Sequence, residues 1–217
     1  MPVAYEAVLL DLYDTIVWSE WFHLRDVIAQ RIGVDERALL NAFESTRPAR
    51  GIGTFRDAEG DMRAVVEATG REANAALVRD LVELEHVELA RGVHLYDDTI
   101  PVLRGLKADG VKTALVSNCS HSTRPVVERL ELEREFDVVV LSFEARAMKP
   151  DPAIYHSALE RLAVVDPGRA LFVDDQPGYC DGAAGVGIDT RLILRPNEDV
   201  PDDDHGHRVV TDLRSLL

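Results

Sequence analysis

The chain has 217 residues, 46% of them apolar, enough to bury a substantial core and too many for a disordered segment. Its formal charge of -15 argues against sustained contact with nucleic acid, because no basic patch is present to release counterions, whereas a bound divalent cation would be favourable. Two cysteines, Cys119 and Cys180, are too few for a disulfide framework, and no run approaches the roughly 18 apolar residues of a membrane span or resembles a cleavable leader, so a cytoplasmic protein is expected.

In chain order, the first predicted element is the strand "AVLLD", an apolar run without alternation, as strands buried on both faces have. From Ser19 to Ala90 the pattern is helical throughout. "SEWFHLRDVIAQRIG" carries Ser19 at the expected N-cap and stops at Gly33, and "DERALLNAFES" follows at helical period. "ESTRPARGIGTF" then reads as a mobile loop whose Arg47 and Arg50 could grip an anion. A third helix ends at Gly70 and a fourth, long and amphipathic, at Gly92. Trp18 and Trp21, at the start of this helical stretch, are read as filling its own core.

"DDTIPVLRGLKADG" returns the chain to the core as a helix ending at Gly110, and the strands "KTALVSN", "DVVVLS" and "ALFVDD" follow, alternating with helices. Before the third of these, "MKPDPAIYHSALERL" predicts a helix with Pro150 in its first turn and Lys149 just ahead of it. "RLIL" and "HRVV" are weaker strands, and the acidic stretch at 198–207 reads as a solvated loop. The expected fold is α/β, a doubly wound parallel sheet with an inserted all-helical cap. The core would take residues 1–16 and 92–217, and the cap 17–91.

In such sheets functional groups gather where the strands' carboxyl ends meet their loops. That rule selects Asp11, Ser117, Ser142 and the Asp174–Asp175 pair. Asp11 offers a nucleophile or metal ligand, Ser117 and the amide of Asn118 offer donors to an oxyanion, and Lys149 offers a positive charge. Asp174 and Asp175 are hard oxygen ligands of the kind Mg²⁺ takes. One nucleophile, one hydroxyl, one cation and a metal pair make up a phosphoryl-transfer site.

Taken in this order, the motifs resemble those of the haloacid dehalogenase superfamily of hydrolases. Asp11 in "DLYDT" falls on the family's nucleophile and Thr15 on its threonine; Ser117 in "VSNCS", Lys149 in "MKPD" and the acidic "FVDDQPGYCDGA" fall on the other three motifs. The resemblance implies a Rossmann-like core with a helical cap inserted after the first motif. It also implies attack by Asp11 to give a covalent aspartyl intermediate, with Mg²⁺ held by Asp11, the backbone carbonyl of Tyr13 and Asp174 or Asp175. Lys149 and Ser117 would hold the transferring oxygens.

Tyr13 departs from the phosphatase pattern, in which the second residue after the nucleophile is an acid that protonates the leaving alkoxide. The dehalogenase branch has tyrosine there, and halide leaves without a proton, whereas an alkoxide gains roughly 10² to 10⁴ in rate from a general acid. Against that, Asp174 and Asp175 beside Asp11 would repel one another without a cation. The expected activity is therefore a Mg²⁺-dependent phosphatase acting on a small phosphorylated metabolite. A 2-haloacid dehalogenase-type hydrolase and a catalytically weak binding relative are the alternatives.

Asp14 is the nearest other acid, but one residue of offset turns it to the opposite face of an extended segment. His23 and His121 are further proton-donor candidates. Arg47, Arg50 and His121 are the expected substrate-binding residues. No nucleic-acid or membrane partner is expected, and the chain is expected to act as a monomer or homodimer.

Overall fold

A computed structural model describes residues 5–196 and 203–217. The chain opens with strand β1 (Ala7–Leu10) and a short strand β2 (Val17–Ser19), followed by helices α1 (Trp21–Ile32), α2 (Glu36–Gly51), α3 (Ala58–Ala68) and α4 (Ala75–Gly92). Strand β3 (Val93–Leu95) leads to α5 (Thr99–Ala108), β4 (Lys112–Ser117), α6 (Arg124–Arg129), α7 (Leu132–Glu135), β5 (Val138–Leu141) and α8 (Ser142–Ala145). The chain closes with α9 (Pro152–Arg161), β6 (Ala170–Asp174), α10 (Pro177–Gly185), β7 (Asp189–Ile193) and β8 (Val209–Val210).

Six strands form one parallel sheet in the order β5-β4-β1-β6-β7-β8. Both faces are covered, which is why its strands read as continuous apolar runs. Val8, Leu10, Leu115 and Val173 join one buried cluster, while Ala7, Leu9, Val116 and Phe172 alternate into the other. Burying these side chains supplies roughly 1.5–3 kcal/mol each for the larger ones, which fixes the register of the central strands.

The inserted segment departs from its predicted pattern in two places. Ser19 is not a helix cap: it pairs with Val93 in an antiparallel ribbon of β2 and β3, and Glu20 occupies the N-cap without a side-chain hydrogen bond. The ribbon takes up the backbone that a cap would need, since Glu20 N–H donates to Gly92 O at 2.9 Å. The second helix also does not end at Ser45. It continues through Pro48 to Gly51, so Arg47 and Arg50 stand on its last turns and not in a loop.

A proline inside a helix ordinarily costs about 3 kcal/mol. Here side chains around it add hydrogen bonds, Thr46 Oγ1 donating to Ala42 O at 2.7 Å and Arg50 Nη2 to Phe43 O at 2.9 Å. Just beyond, Gly53 has φ +64° and lies so close to the core that a Cβ would stand 2.1 Å from Phe143 O. Only glycine allows that approach.

Helix α9 begins at Pro152, with the Asp151 carboxylate accepting from Ala153 N–H at 2.8 Å, so Pro150 lies ahead of the helix and not in its first turn. Of the expected acidic loop, residues 198–202 lie outside the described residues, and Asp203–Gly206 are exposed. Among the described residues no helix is long and apolar enough to cross a membrane.

Candidate active site

Strand register assembles the floor of the site. Leu10 pairs with Leu115 and with Val173, so Asp11 lies level with Asp174 on one side, and Ser117 ends the strand on the other. Asp11 N–H donates to Val173 O at 3.0 Å, which carries the pairing one residue past the strand. Lys149 reaches in from the segment before α9 and is 3% exposed. Its ammonium donates to Asp11 Oδ1 at 2.5 Å and to Asp174 Oδ2 at 2.6 Å.

Asn118 holds that lysine in place. Its Nδ2 donates to Lys149 O at 2.8 Å while Lys149 N–H donates to its Oδ1 at 2.7 Å, so its side-chain amide uses one of its two N–H donors to hold the Lys149 backbone. Ser142, at the end of β5, staples the same loop, accepting from Cys119 N–H at 2.9 Å and donating to Cys119 O at 3.1 Å. The buried hydroxyls of Ser117 and Thr15 have no hydrogen-bond partner among the described residues. Below the Thr15 side chain, the Arg195 guanidinium donates to Thr15 O at 2.9 Å through Nε and pairs with the buried Asp98 at 2.7 Å.

Burial raises the Asp11 carboxyl to about 6, with Lys149 opposing and Asp174 adding to the shift. Asp174 is likewise raised by burial to about 6, and Asp175 by burial and the Asp11 charge to about 7. Burial alone would lower Lys149, but the Asp11 and Asp174 carboxylates overcome it and raise the ammonium's pKa. Three carboxylates against one ammonium leave an excess of negative charge at a largely buried site. Ligand oxygens of Asp11, Asp174 and Asp175 lie within 4.8 Å of one another, a hard-oxygen set that fits Mg²⁺.

A cavity of about 1260 Å³ opens above this floor and is bounded on its far side by α1, α2 and α4. Tyr13 and Asp14 both line it. The alternation expected to turn Asp14 away fails because its backbone is left-handed, φ +57°, and not extended. Tyr13 faces Thr123 Oγ1 at 3.3 Å, and burial raises its pKa, which makes it a poorer acid than a free phenol.

Trp18 and Trp21 are cavity-lining residues and do not simply fill the helices' own core: Trp18 is 40% exposed and stacks on His94 at 4.4 Å, and Trp21 meets Phe43 edge-on at 5.4 Å. Arg47 and Arg50 reach the cavity too. Arg47 Nη2 donates to Tyr179 OH on α10 at 3.0 Å, and the Tyr179 ring lies 5.0 Å from the Lys149 ammonium.

His121 departs from its expected place. Its backbone N–H and ring Nδ1 both engage Asp61 Oδ2, at 3.1 and 2.8 Å, and its ring rests on Phe143, so it ties the loop after β4 to α3 and does not line the cavity. His23 pairs with Glu88 at 3.4 Å on an exposed face. Two buried acids, Glu85 in the far wall and Asp61 in a small recess beside it, were not anticipated. Their signal was a charged residue inside an apolar stripe: Glu85 falls between Leu81 and Leu89 on the buried face of α4, and Asp61 stands beside Met62 and Val65 on that of α3.

A family model described as haloacid dehalogenase-like hydrolase matches residues 5–187. The chain belongs to the haloacid dehalogenase-like hydrolases. It is 38% identical over 96 residues to "Haloacid dehalogenase-like hydrolase domain-containing protein 3" of Bos taurus, a stretch covering 43% of this chain and 38% of that protein. It is 32% identical over 121 residues to "Phosphatase MT3486" of Mycobacterium tuberculosis, covering 55% and 54%.

Similarity to "(S)-2-haloacid dehalogenase 1" of a Pseudomonas species is comparable, 33% over 104 residues, covering 48% and 45%. The chain thus spans about half the length, or less, of these curated relatives. The structure of a HAD phosphatase from Thermococcus onnurineus superimposes with a TM-score of 0.68 at 25% identity, covering 97% of this chain and 95% of that one. Both chemistries therefore occur among relatives of this hydrolase, which leaves its own reaction to be argued from its residues.

Proposed function

We propose that this hydrolase is a Mg²⁺-dependent phosphatase of a small phosphorylated metabolite, with Asp11 as nucleophile. The observation that carries the reading is the triple carboxylate cluster of Asp11, Asp174 and Asp175 with Lys149 bridging the first two. A site that releases halide gains nothing from three clustered acids, two of them buried. A site that binds a phosphate dianion beside an anionic nucleophile needs a cation there, and these acids would hold one, with the Tyr13 carbonyl as a further ligand.

In this reading an Asp11 carboxylate oxygen attacks phosphorus, the ester P–O bond breaks, and an aspartyl phosphate forms as the alkoxide departs. Water then attacks that phosphorus and releases inorganic phosphate, restoring Asp11. Lys149, held in place by the Asn118 side chain, neutralises charge on the transferring oxygens, and the unpartnered Ser117 and Thr15 hydroxyls donate to them. When bound, Mg²⁺ would offset repulsion between nucleophile and substrate. Residues 17–91 would act as the cap over a core of 1–16 and 92–217, with Arg47 and Arg50 drawing the anionic substrate in.

The test is hydrolysis of p-nitrophenyl phosphate with and without Mg²⁺. Activity that needs the metal and falls by at least about 10³ in Asp11→Asn is expected. Tyr13 favours a second reading, dehalogenation, and metal-independent release of chloride from 2-chloropropionate would put that reading in its place.

A further inference from the structure

We propose that the far wall of the cavity holds a leaving-group subsite for a primary ammonium, built from Glu85 with Asp61, Ser120 and Ser122. The inference rests on the phosphatase reading and extends it to a substrate class, the phosphate monoesters of amino alcohols. Glu85 and Asp61 are 8% and 6% exposed, and together with Arg50, Ser120 and Ser122 they line a recess of about 10 Å³. Glu85, Arg50, Ser120 and Ser122 line the large cavity as well, so the recess adjoins that cavity and shares these side chains with it.

Asp61 is paired with His121, but Glu85 has no ion-pair partner in this wall among the described residues. Arg50 is the nearest guanidinium, but it donates to Thr46 Oγ1 at 3.0 Å and Phe43 O at 2.9 Å and lies over the Phe43 ring. No ion pair joins it to either acid among the described residues. Asp61 Oδ2 is engaged by His121, while Asp61 Oδ1 is buried and has no partner. Burial and the Asp61 charge push the Glu85 carboxyl up to about 7 against the pull of Arg50, as expected of an acid whose counter-charge is incomplete.

A buried acid pair of this kind favours a cation that can also donate hydrogen bonds. A divalent ion fits poorly, because among the described residues the three-ligand group of acids lies at Asp11, Asp174 and Asp175. A guanidinium is too large for a space of about one water. An ammonium has that size and presents three donors, which the Glu85 carboxylate and the serine hydroxyls can accept.

The experiment pairs n-alkyl phosphates with ω-aminoalkyl phosphates over a series of chain lengths, each measured as a competitive inhibitor of p-nitrophenyl phosphate hydrolysis by the full chain with Mg²⁺. At one chain length the amino compound should bind about tenfold tighter than its alkyl partner, the order of a hydrogen bond to a charged group. In Glu85→Gln that ratio should fall below about threefold. Ser122→Ala should lower it by a smaller factor, which keeps the test open if the first variant does not fold.

A ratio near one at every length, or a ratio that survives Glu85→Gln, would overturn the subsite and leave water as the occupant of the recess. Calorimetric titration of the same pairs into Asp11→Asn reads the ratio without turnover. Failure of p-nitrophenyl phosphate hydrolysis would therefore count against the phosphatase reading alone.

Discussion

The floor and the far wall of the cavity both bury carboxylates, and they handle the cost in opposite ways. On the floor Lys149 stands between Asp11 and Asp174, bonded to each. On the wall Asp61 and Glu85 share a recess with Arg50, whose guanidinium is bonded elsewhere. Removing a charge should therefore have opposite consequences in the two places. On the floor it breaks a buried pair, whereas removing Glu85 from the wall removes a charge that has no ion pair, Asp61 being held by His121.

The largest effect is expected on the floor. Lys149→Met leaves Asp11 and Asp174 buried without their bridging cation, so kcat/KM should fall by at least about 10² to 10³. Urea unfolding at pH 8 without metal should show a stability loss of about 3–5 kcal/mol, the size found when one partner of a buried ion pair is removed. An unchanged unfolding midpoint would mean that the carboxylates had simply taken up protons, and the contrast with the wall would disappear.

The same contrast explains what the sequence disclosed. Asp11, Ser117, Asp174 and Asp175 could be placed together because a parallel sheet puts its strand ends on one edge, and apolar runs that stop on polar residues mark those ends. Lys149 followed from its motif, although the helix behind it starts two residues later than its Pro150 suggested. Asp61 and Glu85 sit on helices, where an acid in an apolar stripe looks like noise until tertiary packing shows which face is buried. Arg47 and Arg50, expected to grip an anion from a loop, stand instead on a helix, because Pro48 and Gly51 signal a loop while side-chain hydrogen bonds sustain the helix through them.

Next in size is the question raised by Tyr13. Burial holds its phenol above the ordinary value, so it does not donate a proton readily, and Asp14 shares the cavity with it. Tyr13→Asp should raise kcat on alkyl phosphates by at least about tenfold, toward the 10² to 10⁴ that a general acid supplies, and change aryl phosphate turnover much less. An equal gain on both would show that the tyrosine blocked the floor sterically and that proton donation was not what the site lacked.

A smaller effect separates floor from wall by pH. Glu85 is raised to about 7 from an ordinary 4.5, so the folded chain holds a proton that the unfolded chain has released between those values. Its contribution to stability is present below about 4.5, falls as the pH rises to about 7, and is flat above. Asp11 and Asp174 at about 6 and Asp175 at about 7 give a slope of the same sign without metal, and a cation on the floor should abolish their part. With saturating Mg²⁺, Glu85→Gln should therefore melt a few degrees above the parent chain at pH 8 and level with it near pH 5. A variant that melts lower at pH 8 would mean that Arg50 compensates Glu85 after all.

A further contact, between α2 and α10, is the bond from Arg47 Nη2 to Tyr179 OH, 3.0 Å long and exposed. Tyr179→Phe removes the hydroxyl but keeps the ring 5.0 Å from the Lys149 ammonium. An exposed hydrogen bond of this kind contributes about 0.5–1.5 kcal/mol, part of which water replaces, so KM for p-nitrophenyl phosphate should rise about two- to threefold with kcat unchanged. Tyr179→Leu also removes the ring, whose face attracts the ammonium, and kcat should then fall because Lys149 is less firmly placed between Asp11 and Asp174. Equal kinetics for the two variants would show that the ring does not help to place Lys149 and that Tyr179 serves only to join α2 to α10.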